Sequence, residues 1–389
     1  MQRNFNKLMR KRIYIHVFAL LLLCAACKHQ QDEPQLTPWG EEQDSLSADF
    51  DLEQIVGNGE MIVLTMTGPE TYYDYHGHYL GTQYLLCQRF AEKIGVGLRV
   101  EVCRDSAEMV RRIKDGEADV ALFAGRDDRL AWRIGPDKPQ LEKEIKAWFR
   151  PQLIAETRKE EQYLLSSRSV RRRVFAPMLN AKGGVISKYD AQFQQHARRI
   201  RWDWRLLAAQ CYQESTFDSQ ARSWAGACGL MQIMPSTADH LGLAHSDLFD
   251  ADKNIAAAVK FIEELDGHFR DIPNRTERIK FVLAAYNGGS YHVRDAMALT
   301  RKHGRDPHRW NDVSQYILAL SQPQYYNDPV VKHGYMRGHE TVTYVARIHD
   351  RWRQYRGAVR GNGATKFLPG ITPGGDIPHK AARKHRFKL

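Results

Sequence analysis

The chain predicts an α+β multidomain protein, an α/β zone over residues 52–150 followed by an all-helical zone over residues 189–356. Three observations lead there. In the first zone, apolar β-branched runs alternate with segments of helical period. In the second, apolar residues recur at helical spacing almost throughout. The 389 residues, 43% of them hydrophobic, suffice for two cores and exclude wholesale disorder or a fibrous repeat.

The elements of the first zone follow in order. Met61–Met66 reads as a strand, and Gly81–Ile94 as a helix through Tyr84, Leu85, Phe90 and Ile94. Leu98–Cys103 is a second strand. Asp105 opens a helix through Met109, Val110 and Ile113 that ends near Gly116, and Ala118–Ala124 is a third strand. Strands alternating with helices imply a parallel sheet with right-handed crossovers. Residues 141–200 read as mainly helical and strongly charged, with 151–188 as a helical linker. Within the linker, Arg171-Arg172-Arg173 is expected on a solvated turn or helix face.

The ends differ from the middle. Arg3, Lys7, Arg10, Lys11 and Arg12 precede an apolar run, Ile13–Leu23, and then Cys24-Ala25-Ala26-Cys27. A basic start, a short apolar stretch and small residues read as a secretory signal over residues 1–27. The apolar stretch is too short for a comfortable membrane span. Residues 28–51 read as a flexible tether. From Arg351 onward there are ten Lys/Arg against one acid, Asp376, and residues 357–389 read as a basic flexible tail. This tail holds much of the net charge of +11. Anionic lipid, a carboxylate-rich cell wall, nucleic acid or no specific partner all suit such a tail, and export argues against nucleic acid.

Four cysteines lie beyond the signal: Cys87, Cys103, Cys211 and Cys228. They read as small buried apolar residues, with a Cys211–Cys228 disulfide as the other reading. No CxxC and no helical His pair points to a metal site, and no cofactor is expected.

In the helical zone Trp204, Leu207, Ala208 and Cys211 form one stripe, and Glu214 falls along it. A carboxyl on such a stripe is either buried, with its pKa raised as a general acid needs, or exposed at the helix end with an ordinary one. A helix ending just after Ser215 adds the dipole's negative end to the first case. Gly226-Ala227-Cys228-Gly229-Leu230-Met231-Gln232-Ile233-Met234-Pro235 then allows a tight turn towards Glu214, with Pro235 opening a new helix. Ile279, Val282, Leu283 and Tyr286 mark a helix that stops at Asn287-Gly288-Gly289. Tyr286 and Asn287 at such an end offer a ring and an amide, the groups that bind sugars.

Three segments of the first zone resemble the first lobe of periplasmic solute-binding proteins of the amino-acid class. They are Gly68-Pro69-Glu70-Thr71-Tyr72-Tyr73, Phe90-Ala91-Glu92-Lys93-Ile94-Gly95 and Gly116-Glu117-Ala118-Asp119-Val120-Ala121. The chain runs from Gly125-Arg126-Asp127-Asp128 almost directly to Ala131-Trp132-Arg133, so the second lobe is truncated. Arg126 is a poor substitute for the family's ligand-clamping Arg, so a scaffold or regulatory module is expected, with a small molecule or muropeptide as the regulator it implies.

In the helical zone four motifs occur in the order seen in soluble-lytic-transglycosylase-type domains. They are Glu214-Ser215, Gly229-Leu230-Met231-Gln232, Ala285-Tyr286-Asn287 and Glu340-Thr341-Val342-Thr343-Tyr344-Val345. Both zones in this order resemble the membrane-bound lytic murein transglycosylase F family. That resemblance implies a lysozyme-like fold and cleavage of peptidoglycan glycan strands to 1,6-anhydro-N-acetylmuramic acid ends. It makes Glu214 the catalytic acid and base. Ser215 would steady Glu214 or an N-acetyl group; Gln232, Tyr286 and Asn287 would hold the glycan. Met231 would pack beneath the sugar, and Tyr344 would hydrogen-bond near the acid. Asp218 is expected to be a helix-end polar residue and Glu340 structural. The Ala-Ala-Cys ending resembles a lipobox, which would lipidate Cys27 and anchor the protein to a membrane, the outer one facing the periplasm; a plain signal peptide is the other reading. A water-using muramidase and a non-catalytic wall-binding or solute-sensing lipoprotein remain the alternatives.

Overall fold

A computed structural model describes residues 51–125 and 129–358 of the chain. The expectations for the signal, the tether up to residue 50, Cys27, Arg126 and the tail from residue 359 lie outside these residues.

The first zone forms an α/β unit. Helix α1 (Leu52–Asn58) leads into β1 (Glu60–Thr65), and a short hairpin follows from β2 (Tyr73–Tyr75) and β3 (His78–Leu80). Next come α2 (Thr82–Ile94), β4 (Gly97–Val102), α3 (Ser106–Lys114), β5 (Val120–Leu122) and β6 (Trp132–Ile134). The main sheet has the order β4-β1-β5-β6. Strand β1 pairs in parallel with β4 and with β5, Val63 facing both Val100 and Val120. The expected parallel sheet is therefore present. The structure adds β6, antiparallel to β5, so the chain after residue 128 closes the sheet edge.

Alternation along β1 explains the layers. Met61 and Val63 face one core with Cys87 and Phe90 of α2. Leu64 and the half-buried Ile62 face another with Met109 and Ile113 of α3. Successive strand residues point to opposite faces, so a central strand covered on both sides is apolar throughout. Asp105 caps α3 by accepting from Glu108 N, as its position before the apolar stripe predicts.

Two further helices belong with this unit. Helix α4 (Pro139–Trp148) contributes Leu141 and Ile145 to the core of β1 and α2. Helix α5 (Gln152–Leu164) packs on α2, and Glu161 accepts from the Tyr73 and Thr82 hydroxyls. Residues 170–189 carry no helix, a departure from the helical linker expected there. In this stretch Arg171 and Arg222 exchange backbone hydrogen bonds of 2.9 Å. Arg172 is half-buried. The arginine cluster is thus neither a helix face nor a free turn, because its backbone is drawn onto the helical zone.

The helical zone follows as α6 (Asp190–Ala197), α7 (Trp204–Ser215), α8 (Pro235–Leu241), α9 (Ala251–His268) and α10 (Arg275–Gly288). It closes with α11 (Ser290–Lys302), α12 (Trp310–Ala319), α13 (Pro323–Tyr326) and α14 (Gly338–Ala358). One core runs from Ile186 to Tyr355, with α7 at its centre and α14 packed along it. Gly338 opens α14 where a Cβ would lie 1.8 Å from the Ile317 carbonyl oxygen, so only glycine lets α14 approach α12 so closely.

All four described cysteines are free and buried. Cys211 Sγ approaches Leu230 O at 3.4 Å and Cys228 Sγ approaches Gly226 O at 3.2 Å. The apolar-residue reading stands, and the Cys211–Cys228 disulfide is not formed.

The buried Asp51 side chain serves two helices, accepting from Leu52 N of α1 and from Gln140 N and Leu141 N at the start of α4. Asp51→Ala removes both caps and lowers the stability of the α/β unit by about 2 kcal/mol, read as a shift in urea midpoint.

Candidate active site

Helix α7 carries Glu214 to its last turn. Asp203 caps the start of the helix by accepting from Arg205 N. Trp352 of α14 donates to the other Asp203 oxygen at 3.0 Å, which ties the two helices together. The helix stops at Thr216 (φ 54°), and Phe217 follows at φ 62°. Two successive non-glycine residues in the left-handed region are strained, and such strain persists only where the surroundings impose it. Here the Thr216 hydroxyl donates to Arg173 O and the Asp218 carboxylate accepts from Arg173 N. Asp218 also accepts from Gln220 N, consistent with its expected role at the helix end.

The carboxyl of Glu214 is half-buried between α7 and α14. The Tyr344 hydroxyl donates to Glu214 Oε1 at 2.5 Å. Burial pushes the Glu214 pKa up from 4.5 to about 7. The Tyr344 hydrogen bond and the charges of His76 and Arg172 pull it down, while Glu340 pushes it further up. The first of the two sequence readings of Glu214 is the one realised. Arg172 reaches beneath the site and donates to the Glu214 carbonyl oxygen at 3.1 Å.

The turn after α7 supplies the next wall. Cys228 and Ile233 exchange backbone hydrogen bonds across Gly229-Leu230-Met231-Gln232. A Cβ on Gly229 (φ 79°) would lie 2.3 Å from Leu248 O and 2.5 Å from Asn254 Nδ2, so no larger residue fits. The buried Asn254 of α9 holds the turn from inside. Its Oδ1 accepts from Met231 N, and its Nδ2 donates to Cys228 O and Leu248 O. The Met231 side chain lies wholly in the core, so it supports the turn from below. Gln232 spends its amide N–H groups on Gly229 O and Ala221 O, leaving only its amide oxygen for a ligand.

The end of α10 completes the arrangement. The Tyr286 hydroxyl donates to Met231 O at 2.8 Å, and burial together with the charge of Glu214 raises the Tyr286 pKa well above 10. Asn287 Oδ1 accepts from the Thr341 hydroxyl at 2.8 Å. The structure therefore gathers Glu214, Tyr344, Tyr286 and the Met231 backbone, while Asn287 and Gln232 follow Tyr286 and Met231 along the chain. Ser215 is the exception. It is fully buried and its hydroxyl donates to Cys211 O, one helical turn back, so it faces the core rather than Glu214 or a sugar.

Several contributors escape sequence reasoning. Asn254 is a lone amide just before the apolar run Ile255–Val259 of its helix, a signal that is weak without a partner in view. Arg172 sits in a segment with no periodicity. The hairpin β2–β3 reaches the site from the other zone, and only Tyr-His-Gly-His between alternating aromatics marks it in the sequence. Among the described residues no group of three or more His, Cys, Asp or Glu is placed to hold a metal ion, and no helix is long and apolar enough to cross a membrane.

Residues 191–308 match the family model of the transglycosylase SLT domain. The matched stretch lies within the helical zone. Curated relatives named membrane-bound lytic murein transglycosylase F match as well. That of Citrobacter koseri is 44% identical over 170 residues, covering 44% of this chain and 32% of the relative. That of Cronobacter sakazakii is 37% identical over 211 residues, covering 51% and 40%. The chain thus spans about a third of the length of the first of these relatives. Among solved structures, lytic transglycosylase Slt of Pseudomonas aeruginosa is 22% identical with a TM-score of 0.33, covering 45% of this chain and 25% of that one. The 70 kDa soluble lytic transglycosylase of Escherichia coli is 23% identical with a TM-score of 0.31, covering 44% and 25%.

Asn254→Ala strips Met231 N and Cys228 O of the turn, and Leu248 O beside it, of their buried partner. The loss in stability is about 2–4 kcal/mol in denaturant unfolding.

Proposed function

We propose that the SLT domain is a lysozyme-like lytic transglycosylase that cleaves the β-1,4 bond between N-acetylmuramic acid and N-acetylglucosamine in peptidoglycan. The observation that carries this reading is the half-buried Glu214, pushed up to about 7 and held by Tyr344. A carboxyl in that state is protonated at near-neutral pH and is matched to general-acid work.

Glu214 protonates the bridging oxygen as the bond to C1 of the muramyl residue breaks. The resulting carboxylate then takes the proton of the muramyl C6 hydroxyl while O6 bonds to C1. The proton returns to Glu214 and no water is consumed. An intramolecular hydroxyl as the attacking group needs only correct placement, which substitutes for a second carboxylate. Tyr344 orients the acid and stabilises its anionic form by hydrogen bonding. Tyr286 and Asn287 line the rim where sugar rings and N-acetyl groups lie, and Gln232 contributes its free amide oxygen. Peptidoglycan glycan strands are the partner.

The other parts of the protein follow the same reading. Residues 1–27 act as a lipoprotein signal, with Cys27 lipidated and the protein held at the cell envelope, on the outer membrane facing the periplasm. The names of the curated relatives include "membrane-bound", in keeping with this. The unit over residues 52–150 is a solute-binding-protein-like lobe lacking its second half, supported by the three parallel strands and their crossover helices. It serves as a scaffold or regulatory module for the catalytic domain of residues 189–356.

Digestion of purified peptidoglycan, with the released muropeptides weighed, tests the reaction. Fragments one water lighter than hydrolytic products are expected, and cleavage falls as pH rises through about 7, where Glu214 loses its proton. Glu214→Gln lowers the rate by about 10²–10⁴-fold. Reducing muramic-acid ends would replace the mechanism with a water-using one. Unchanged cleavage by Glu214→Gln would remove Glu214 from it.

A further inference from the structure

The hairpin of the α/β unit ends on the SLT domain. Its two-residue turn, His76 (φ 51°) and Gly77 (φ 77°), has both residues left-handed, the conformation of a type I′ turn. Asn, Asp or Gly is the comfortable choice at the first of these positions, and a histidine there is strained. The strain coincides with a set of contacts across the two units.

Tyr75 donates from its hydroxyl to Glu340 Oε1 at 3.0 Å, and His76 Nε2 stands 3.6 Å from the same oxygen. The Tyr75 ring lies parallel to Trp224, with centroids 6.0 Å apart, and the Arg337 guanidinium sits over its ring at 5.8 Å. His78 Nε2 donates to Ala225 O at 2.8 Å. Trp224 and Ala225 belong to the loop that leads from α7 into the Gly229–Gln232 turn. The hairpin therefore rests on the loop and the helix that frame Glu214.

Glu340 is a second carboxylate beside the first. Burial would raise its pKa, yet the hydrogen bond and charge of His76, the Tyr75 hydroxyl and Arg337 together hold it below the ordinary range. The charges of Glu340 and His76 act on Glu214 in opposite directions. Among the described residues, the groups acting on Glu214 or acted on by it are Tyr344 and Glu340 from α14, Tyr286 from α10, Arg172 from the extended segment, Cys211 from its own helix and His76 from the hairpin.

The geometry points to His76 as a positioning residue of the glycan-cleaving site, one that pairs with Glu340 and so shields Glu214 from a neighbouring negative charge. This rests on the proposed function of Glu214. In that reaction Glu214 becomes an anion midway, after giving its proton to the leaving oxygen. Repulsion from an uncompensated Glu340 would oppose that state, and His76, when protonated, relieves it by pairing with Glu340. The α/β unit thereby supplies one residue that the SLT domain alone lacks.

His76→Asn tests the inference while retaining a residue that favours the turn. Cleavage of purified peptidoglycan is followed against pH in the full protein. The alkaline limb of kcat moves upward by about half a pH unit in His76→Asn, because Glu214 holds its proton longer. It moves downward in Glu340→Gln, and adding His76→Asn to Glu340→Gln moves it part of the way back up, as the opposite effects of the two charges on Glu214 require. An unmoved limb in His76→Asn overturns the inference, as does a uniform loss of rate at every pH. If the wild-type protein yields no anhydro products, the proposed function fails separately. Titration of the Glu214 carboxyl by carbon-13 NMR in wild type and His76→Asn then still decides the role of His76, since it needs no turnover: a raised midpoint in the variant supports it and an equal one refutes it.

Discussion

Keeping a carboxyl where water only partly reaches it costs free energy, and the helical domain is arranged around that cost at Glu214. A rise from 4.5 to about 7 corresponds to about 3 kcal/mol of preference for the neutral acid. That preference needs apolar walls on α7 and α14, and it needs the walls to stay in register. Trp352 on the Asp203 cap and Tyr344 on Glu214 itself tie those two helices together at both ends of α7. The same hydrogen bond that orients the acid also moderates its pKa, so the acid is poised rather than locked in one form.

The surrounding backbone is shaped to the same end. Thr216, Phe217 and Gln232 are all non-glycine residues with left-handed backbones, and all three lie within the loops that wrap the carboxyl. Their strain is offset by Arg173, by Asn254 and by the Tyr286 hydroxyl, each satisfying backbone or side-chain groups that a looser loop would give to water. Glycine at position 229 is required because the Leu248 carbonyl and the Asn254 amide occupy the space a side chain would take.

Much of this is visible in the residues, and the limits have physical reasons. The strand and helix succession to Leu122, the end of α7 after Ser215, the start of α8 at Pro235 and the stop of α10 at Asn287-Gly288 all depend on local periodicity and capping, which a sequence displays. Ser215 shows what a motif conceals: adjacency to Glu214 in sequence turns it about 100° around the helix and into the core. Arg172 and the hairpin lie far from Glu214 in sequence, and only tertiary packing brings them to it. The antiparallel β6 follows from the return of the chain along the sheet edge, which a three-residue strand signals poorly.

The two units meet beside the Glu214 neighbourhood, through Tyr75, His76 and His78 against Glu340, Trp224 and Ala225. That contact makes the charge around Glu214 a property of the whole chain. Glu214 is expected to keep its proton until the pH reaches about 7. Carbon-13 labelling of the glutamate carboxyls, with Glu214→Gln assigning the signal, measures this directly. A midpoint near 7 is the predicted result. A midpoint near 4.5, the value of an exposed glutamate, would leave Glu214 ionised near neutral pH and unable to act as the acid.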